Sequence, residues 1–300
     1  MRFKKLDLNL LNALDTLIRT RNVSRAADAM FMTQSAMSNA LARLRDYFSD
    51  PLLVSVGRRM ELSPLAESLR DPVREIMVRI EMAIDTTPTF EPTSCTRQIT
   101  IVLSDYSLYT VIPDFLRTLA CNAPGMAINL KPQHTSPFLM LERGEADLLI
   151  APDIICSPNH PSKPLLTERL CCIVDANSSH PRTRFSRRAF EAAGQVIMQP
   201  PISGESYGLR ACREVGLALR TEVSTFSFPS MGDLVRGTER VAVIQERLAR
   251  KLIAEGGGLR IVRPPVELPR LRQMLQWHHA REHDPAIAWL VEQLQQTAAD

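Results

Sequence analysis

Residues 6–64 hold three helix-length blocks and then two strand-length runs about a glycine, an order that few small folds can satisfy. In the first block Leu6, Leu10, Leu11, Leu14, Leu17 and Ile18 recur at helical spacing, with Asp7 as the cap. The second fits residues 24–30, where Ala26, Ala27 and Ala29 allow close packing, and a break at Phe31-Met32-Thr33 follows. The third fits residues 34–48, with Ala36, Met37, Ala40, Leu41 and Leu44 inward and Gln34, Ser35, Ser38, Asn39, Arg43 and Arg45 outward. Two short helices joined by a tight turn, the second polar on its outer face, make a helix-turn-helix, expected over about residues 23–42. Asp50-Pro51-Leu52-Leu53-Val54 then leads through Gly57-Arg58-Arg59 to Met60-Glu61-Leu62-Ser63-Pro64, which reads as a wing.

Charge supports a nucleic-acid partner for this segment. Residues 1–63 carry ten Lys or Arg against six Asp or Glu, whereas the whole chain of 300 residues has a net charge of only +3. A basic small domain on a near-neutral body is the electrostatic footprint of a nucleic-acid binder. Gln and Asn can pair with adenine edges and Ser reaches most bases, so Gln34, Ser35, Ser38 and Asn39 are the candidates for base contacts. Ser24, Arg25, Thr33, Arg43, Arg58 and Arg59 are the candidates for phosphates, which position a protein without reading sequence. A solvated helix face carries the same residue types, and the helix pattern alone leaves the two readings level.

The stretches Leu6-Asp7-Leu8-Asn9-Leu10-Leu11, Val23-Ser24-Arg25-Ala26-Ala27, Thr33-Gln34-Ser35-Ala36-Met37-Ser38, Leu41-Ala42-Arg43-Leu44-Arg45 and Asp50-Pro51-Leu52-Leu53 decide between them. Over residues 1–64 the chain resembles the winged helix-turn-helix of LysR-type transcriptional regulators. Beyond it, Leu65, Leu69, Val73, Ile76, Ile80 and Ile84 form an apolar stripe on a charged helix over residues 65–88. Such a stripe needs a partner, either a second copy or the chain itself, and Pro72 should kink the helix or cost it one turn. In the resembled family this helix pairs two copies. The resemblance therefore implies a homodimer or homotetramer on double-stranded DNA with an interrupted inverted repeat, acting with RNA polymerase.

A hinge is expected where Pro88, Pro92 and the threonines of residues 86–96 lie. Past it, β-branched runs alternate with helical stretches, which implies βαβ units on a parallel sheet. Two such cycles, about 95–164 with 266–300 and about 165–265, make a two-lobed α/β effector domain over 92–300, similar to periplasmic binding proteins. The expected fold class is thus multi-domain α+β: an N-terminal winged helix-turn-helix, a long linker helix and this body. Leu141-Glu142-Arg143-Gly144-Glu145-Ala146-Asp147-Leu148 resembles the family's effector domain. Met1-Arg2-Phe3-Lys4, Asp71-Pro72-Val73-Arg74, Trp277-His278, Asp284-Pro285 and Trp289-Leu290 resemble its NodD-like, aromatic-sensing subgroup. That subgroup implies an activator answering a small aromatic or flavonoid-like effector. Salicylate sensors of this type carry a histidine near residue 204 that is lacking here.

Ligands of such folds sit in the cleft at the strand C-termini. Ser104, Asp105 and Tyr106 follow the first strand of the body, and Ser203, Gly204 and Glu205 precede a helix whose amides would receive an anion, although Glu205 would oppose that charge. Phe226, Phe228 and Met231 would wall the site, although each also suits a core.

Three other chemistries have fragments of a signature in the sequence. Gly204-Glu205-Ser206-Tyr207-Gly208 matches a nucleophile elbow, with Asp233 and His278 in hydrolase order, but the strand at residues 196–198 ends too early for the required turn. His278, His279 and His283 lack zinc spacing, and strand neighbours face opposite ways. No metal, cofactor or catalytic residue is therefore expected. Cys95, Cys121, Cys156, Cys171, Cys172 and Cys212 include no Cys-x-x-Cys and read as reduced thiols. No apolar run nears the ~18 residues of a membrane span, and the expected location is cytoplasmic.

Overall fold

A computed structural model describes residues 6–57, 59–85, 90–133, 136–200 and 204–299, without the side chains of Glu81, Met82 and Asp85. The candidates Arg58 and Ser203, the opening tetrapeptide and residues 86–89 of the expected hinge lie outside the described residues. The chain divides into two compact units, Met1–Pro88 with Glu142–Glu145, and Thr89–Leu141 with Ala146–Asp300.

In the first unit α1 (Leu8–Thr20), α2 (Val23–Ala29) and α3 (Gln34–Phe48) pack about one core, with Leu10, Leu14, Leu17, Ala26, Met37, Leu41 and Leu44 at its centre. Asp7 caps α1 as expected, and Asn22 caps α2, which starts one residue before the expected residue 24. β1 (Leu53–Val56) and β2 (Arg59–Leu62) form the antiparallel wing, turned by Gly57 at φ 61°. Asp50 accepts from the Leu52 amide and the Ser63 hydroxyl, and Ser63 in turn receives the Ala66 amide. One carboxylate thus ties the wing to the start of α4 (Pro64–Asp85).

α4 runs unbroken through Pro72. The proline sits on the exposed side, so the Ser68 carbonyl that loses its helical donor faces water. The buried positions of α4 are Ala66, Val73, Arg74, Met77 and Val78, about one residue further round than the expected stripe. Val73 lies in the core of its own unit and Leu69 packs on that core, so these two belong to intrachain packing. Ile76 and Ile84 are 46% and 72% exposed, and Leu65 and Ile80 are half-buried. Arg74, which lies outside the expected apolar stripe, is 7% exposed and donates to Asp15 of α1 at 2.9 Å.

The second unit is built in two lobes. Its elements are β3 (Gln98–Leu103), α5 (Asp105–Thr110), α6 (Ile112–Asn122), β4 (Ala127–Pro132), α7 (Phe138–Glu142), β5 (Leu148–Pro152) and β6 (Ser162–Glu168). There follow β7 (Leu170–Asp175), α8 (Arg187–Ala192), β8 (Gly194–Met198), α9 (Tyr207–Glu214), β9 (Arg220–Thr225), α10 (Met231–Val235), β10 (Val241–Gln245), α11 (Glu246–Gly256), β11 (Leu259–Val262), β12 (Leu271–Gln276) and α12 (Pro285–Ala299). One sheet has the order β4-β3-β5-β12-β6, the other β11-β7-β10-β8-β9.

Both sheets are mixed rather than parallel, because β12 runs against β5 and β6, and β7 runs against β10 and β11. β6 and β11 went unread in the sequence. The polar start Ser162-Lys163-Pro164 hides a strand that stays in the first sheet, so the chain changes lobes at Arg169 rather than near residue 165. Strand alternation buries both faces: Ile99, Ile101 and Leu103 face α6 and α12, while Val102 and Leu149 lie with Leu141 of α7. Cys171 and Cys172 likewise point to opposite faces of β7, and all six cysteines are free thiols. Phe90 packs at a tilt against Trp289, ring centroids 5.7 Å apart, so the expected hinge is anchored to the first lobe from that residue on.

Candidate nucleic-acid interface and ligand cleft

The third helix divides cleanly between its two faces. Met37, Leu41 and Leu44 are buried, while Gln34, Ser35, Ser38, Asn39 and Arg43 are exposed. Thr33 caps the helix, its hydroxyl accepting from the Ala36 amide at 3.2 Å, and it lies 3.0 Å from the Ser35 hydroxyl. Thr33 is thus occupied in the free protein, although still exposed. Ser24 and Arg25 are exposed on α2, and Arg25 also reaches the Thr20 carbonyl. Arg43 pairs with Asp7 at 3.3 Å. The bond from the Leu10 amide, joined by this guanidinium, outweighs desolvation and holds the Asp7 carboxyl below the ordinary range. Arg59 is exposed at the start of β2, opposite Val56. Arg45, also exposed on the outer face, is nevertheless engaged: it donates to the Pro51 and Leu53 carbonyls at 2.8 and 3.0 Å. It holds the wing to α3 and no signal in the sequence separates it from Arg43.

In the second unit the loops after β3 and β9 meet. The Asp105 carboxylate, at the head of α5 in the first lobe, accepts from the Phe228 amide of the second at 2.8 Å. Burial pushes this carboxyl above its ordinary range, opposed by the bonds from Phe228 and Ser227. Tyr106 is fully buried in the second lobe's core, edge-on to Phe228 with centroids 6.1 Å apart, and Met231 and Phe228 belong to the same cluster. Lys251 of α11 sits 4.7 Å over the Tyr109 ring and donates to the Tyr109 carbonyl, and the Tyr109 hydroxyl donates to Glu255. α5 is therefore a clasp between lobes.

Asp105, Tyr106, Phe228 and Met231, read as ligand contacts, are taken up by this packing. The sequence could not show it, because the partners lie more than a hundred residues apart. Of the remaining candidates, Ser104 caps α5, Gly204 has φ 111°, and Glu205 is drawn to Arg213 at 2.7 Å. Phe226, at 73% exposed, follows the last residue of β9 and is the one aromatic of that set left open. Three buried polar atoms have no hydrogen-bond partner among the described residues near the same strand ends: the Tyr106 hydroxyl and the side-chain oxygens of Gln245 and Gln273. Gln245 ends β10, and Gln273 lies opposite Pro152, which ends β5.

The second lobe also carries a cavity of about 500 Å³ lined in part by Ser179, His180, Gly194, Arg220, Glu222, Glu239 and Arg240. Its charges compensate one another: Glu222 meets Arg220 at 2.9 Å and Arg240 at 3.1 Å, and Glu239 receives the Ser179 amide at 3.1 Å.

Ser206 caps α9 with an ordinary φ of −65°, and Asp233 is exposed beside Arg236, so no strained nucleophile turn exists at this motif. His278 is not on a strand; it follows β12 and caps a short 3-10 turn, its Nδ1 accepting from the Ala280 amide at 3.1 Å. Its ring lies 4.3 Å from His279 and 5.0 Å from His160, so the argument from opposite strand faces fails there. The His160 and His279 planes are stacked at 18°, and no group of three or more His, Cys, Asp or Glu among the described residues is arranged to hold a metal ion. Burial raises the thiols of Cys156 to about 11 and of Cys171 and Cys212 to about 12, away from a reactive thiolate. No helix of the described residues is long and apolar enough to cross a membrane.

Known proteins share this architecture. Residues 8–67 match the bacterial regulatory helix-turn-helix of the lysR family, and residues 95–299 match the LysR substrate binding domain. Nodulation protein D 2 of Rhizobium leguminosarum bv. phaseoli is 34% identical over all of this chain and 94% of its own length. Nodulation protein D of Bradyrhizobium sp. (strain ANU 289) is 35% identical over 97% of this chain and 86% of its own. A full-length OxyR variant from Pseudomonas aeruginosa superposes with a TM-score of 0.75 at 16% identity, covering 97% of this chain and 95% of that one. LysG of Corynebacterium glutamicum, with its effector arginine bound, gives 0.63 at 14%, covering 98% of each. Both domain matches and the full-length relatives converge: the chain belongs to the LysR family, and it is a DNA-binding transcriptional regulator rather than an enzyme.

Proposed function

We propose that this protein is a cytoplasmic activator that binds an interrupted inverted repeat as a homodimer or homotetramer, answers a small aromatic, flavonoid-like effector and acts with RNA polymerase. Gln34, Ser35, Ser38 and Asn39 read base edges, while Ser24, Arg25, Thr33, Arg43, Arg58 and Arg59 meet phosphates. The observation that carries the DNA side is the outer face of α3, polar and exposed along its N-terminal half while its inner face fills the core. The full-length likeness to nodulation proteins D supports the effector class.

The effector lies between the lobes at the strand ends, against Ser104, Gly204, Glu205 and Phe226; Ser203 stays a candidate from the sequence alone. Gln245 and Gln273 offer acceptor oxygens near those strand ends, which suits a phenolic ligand that donates hydrogen bonds. A carboxylate would meet Glu205 and those acceptors unfavourably. The effector changes DNA binding only through different affinities for two states of the protein.

Gel-shift titration of the chain on its own upstream DNA, with competitor DNA and a panel of aromatics, tests this. Specific binding whose footprint changes with a neutral phenol and not with benzoate is expected. Specific binding indifferent to every aromatic would remove the effector class and leave the regulator.

A further inference from the structure

Among the described residues, four other than glycine adopt a positive φ, and all lie in the N-terminal unit: Arg21 at 49°, Phe31 at 53°, Ser49 at 53° and Leu52 at 57°. Three have an evident reason. Arg21 and Ser49 close α1 and α3, their amides donating to the Leu17 and Arg45 carbonyls. Leu52 is 2% exposed in the core. Phe31 makes the turn between α2 and α3 through its amide and the Asp28 carbonyl, 3.2 Å, but its ring is 99% exposed. Glycine or asparagine would adopt this conformation with less strain and without a wet aromatic ring. The core offers the ring no place, since Met30 and Met32 on either side already pack against it. Neither local conformation nor internal packing accounts for a phenylalanine here.

Its position supplies the reason. Phe31 precedes by two residues the cap Thr33 of α3, and Phe31, Thr33, Gln34 and Ser35 are all exposed at that end of the helix. The N-terminal end of a recognition helix is the part that enters the major groove.

We propose that Phe31 contacts DNA through its ring, packing on an apolar element of the duplex beside the recognition helix, a thymine methyl group or the face of a deoxyribose. The inference rests on the DNA-binding reading of α3. It adds an apolar contact to a face otherwise built from hydrogen-bonding and charged groups, and the strained turn is what holds the ring outward.

The test is a titration of the full chain and its Phe31→Ala and Phe31→Gly variants on a duplex from its own upstream region, over a series of salt concentrations. Gln34→Ala serves as the control. Both Phe31 variants are expected to lose about tenfold in affinity, the worth of a partly buried aromatic ring. The salt slope should be unchanged, because no phosphate contact is removed. Phe31→Gly should melt no lower than wild type. Replacing thymines one at a time by uracil distinguishes the two surfaces. One uracil that matches the loss in wild type and adds nothing in Phe31→Ala identifies the methyl group, and indifference to every uracil with the tenfold loss intact identifies the sugar. Unchanged affinity in both Phe31 variants, with Gln34→Ala still impaired, overturns the proposal and leaves the DNA-binding reading in place. Unchanged DNA affinity with lost transcriptional activity assigns the ring to a protein partner, and a loss matched by a lower melting temperature in both variants assigns it to folding. Either result also overturns the proposal.

Discussion

Gln34 and Arg59 stand exposed on α3 and the wing, and the two kinds of contact assigned to them separate experimentally. Gln34→Ala is expected to relax preference at one base pair at a cost of about 1–3 kcal/mol, read by selection from a randomised site. Arg59→Ala should weaken all sequences alike and lower the salt slope by about one ion. A sequence preference unchanged in Gln34→Ala would show that α3 is not read through this residue. Asp15 and Arg74 present the opposite case, a charged pair inside the domain with side chains 3% and 8% exposed. Asp15→Ala leaves the Arg74 guanidinium buried without its carboxylate and should cost about 3–5 kcal/mol. Faster hydrogen exchange along α1 would report it, and the joint replacement Asp15→Leu with Arg74→Met should recover most of the loss. Exchange as slow as wild type in Asp15→Ala would mean that the pair carries little.

At the scale of elements, what the sequence revealed depended on whether one period dominated. α3 spans Gln34–Phe48 as its apolar spacing predicts, and the wing lies where Gly57 interrupts two apolar runs. The buried side of α4 was misread because Arg74 counts as polar in any pattern, yet the side chain reaches a carboxylate on another helix. β6 opens on the polar Ser162-Lys163-Pro164 and β11 has only four residues, and both are held by ladders to strands far away in sequence. The ligand cleft was legible as a place and not as a set of side chains, since the clasp made by α5 is tertiary.

One tie of this kind yields a pH dependence. Arg97, just before β3, donates two bonds of 2.9 Å to Asp284, whose carboxylate also receives the Ala286 amide at the start of α12. Burial raises the Asp284 carboxyl, but the Arg97 bonds and charge outweigh it and leave it below the ordinary range. A lowered folded value means that stability is complete above the unfolded carboxylate range near ~4 and is lost as pH falls through the folded value. Asp284→Asn keeps the cap and removes the charge. It should cost about 2 kcal/mol at neutral pH, and the difference from wild type in urea melts should shrink below about pH 4. A difference that stays constant down to pH 2 would place its origin elsewhere.

For the whole molecule the decisive surface is α4. Val73 and Leu69 pack within the N-terminal unit, which leaves Ile76, Ile80 and Ile84 as a shorter stripe, with Ile76 and Ile84 wet in the single chain. Three isoleucines at spacings of four on a helix otherwise rich in charge are a poor solvent face and a good seam for a second copy. On the proposed reading, two copies joined there would present two recognition helices, and binding of the second half-site would become intramolecular once the first is held. Linkage of that kind typically raises affinity by about 10²–10⁴ without any new contact to DNA. The double replacement Ile76→Glu with Ile84→Glu should therefore give a folded monomer in analytical ultracentrifugation. Its affinity for the full repeat should fall at least about a hundredfold, while its affinity for an isolated half-site stays that of wild type. A variant that remains dimeric, or a monomer that binds the full repeat as tightly as before, would show that the pairing surface lies elsewhere than on this helix.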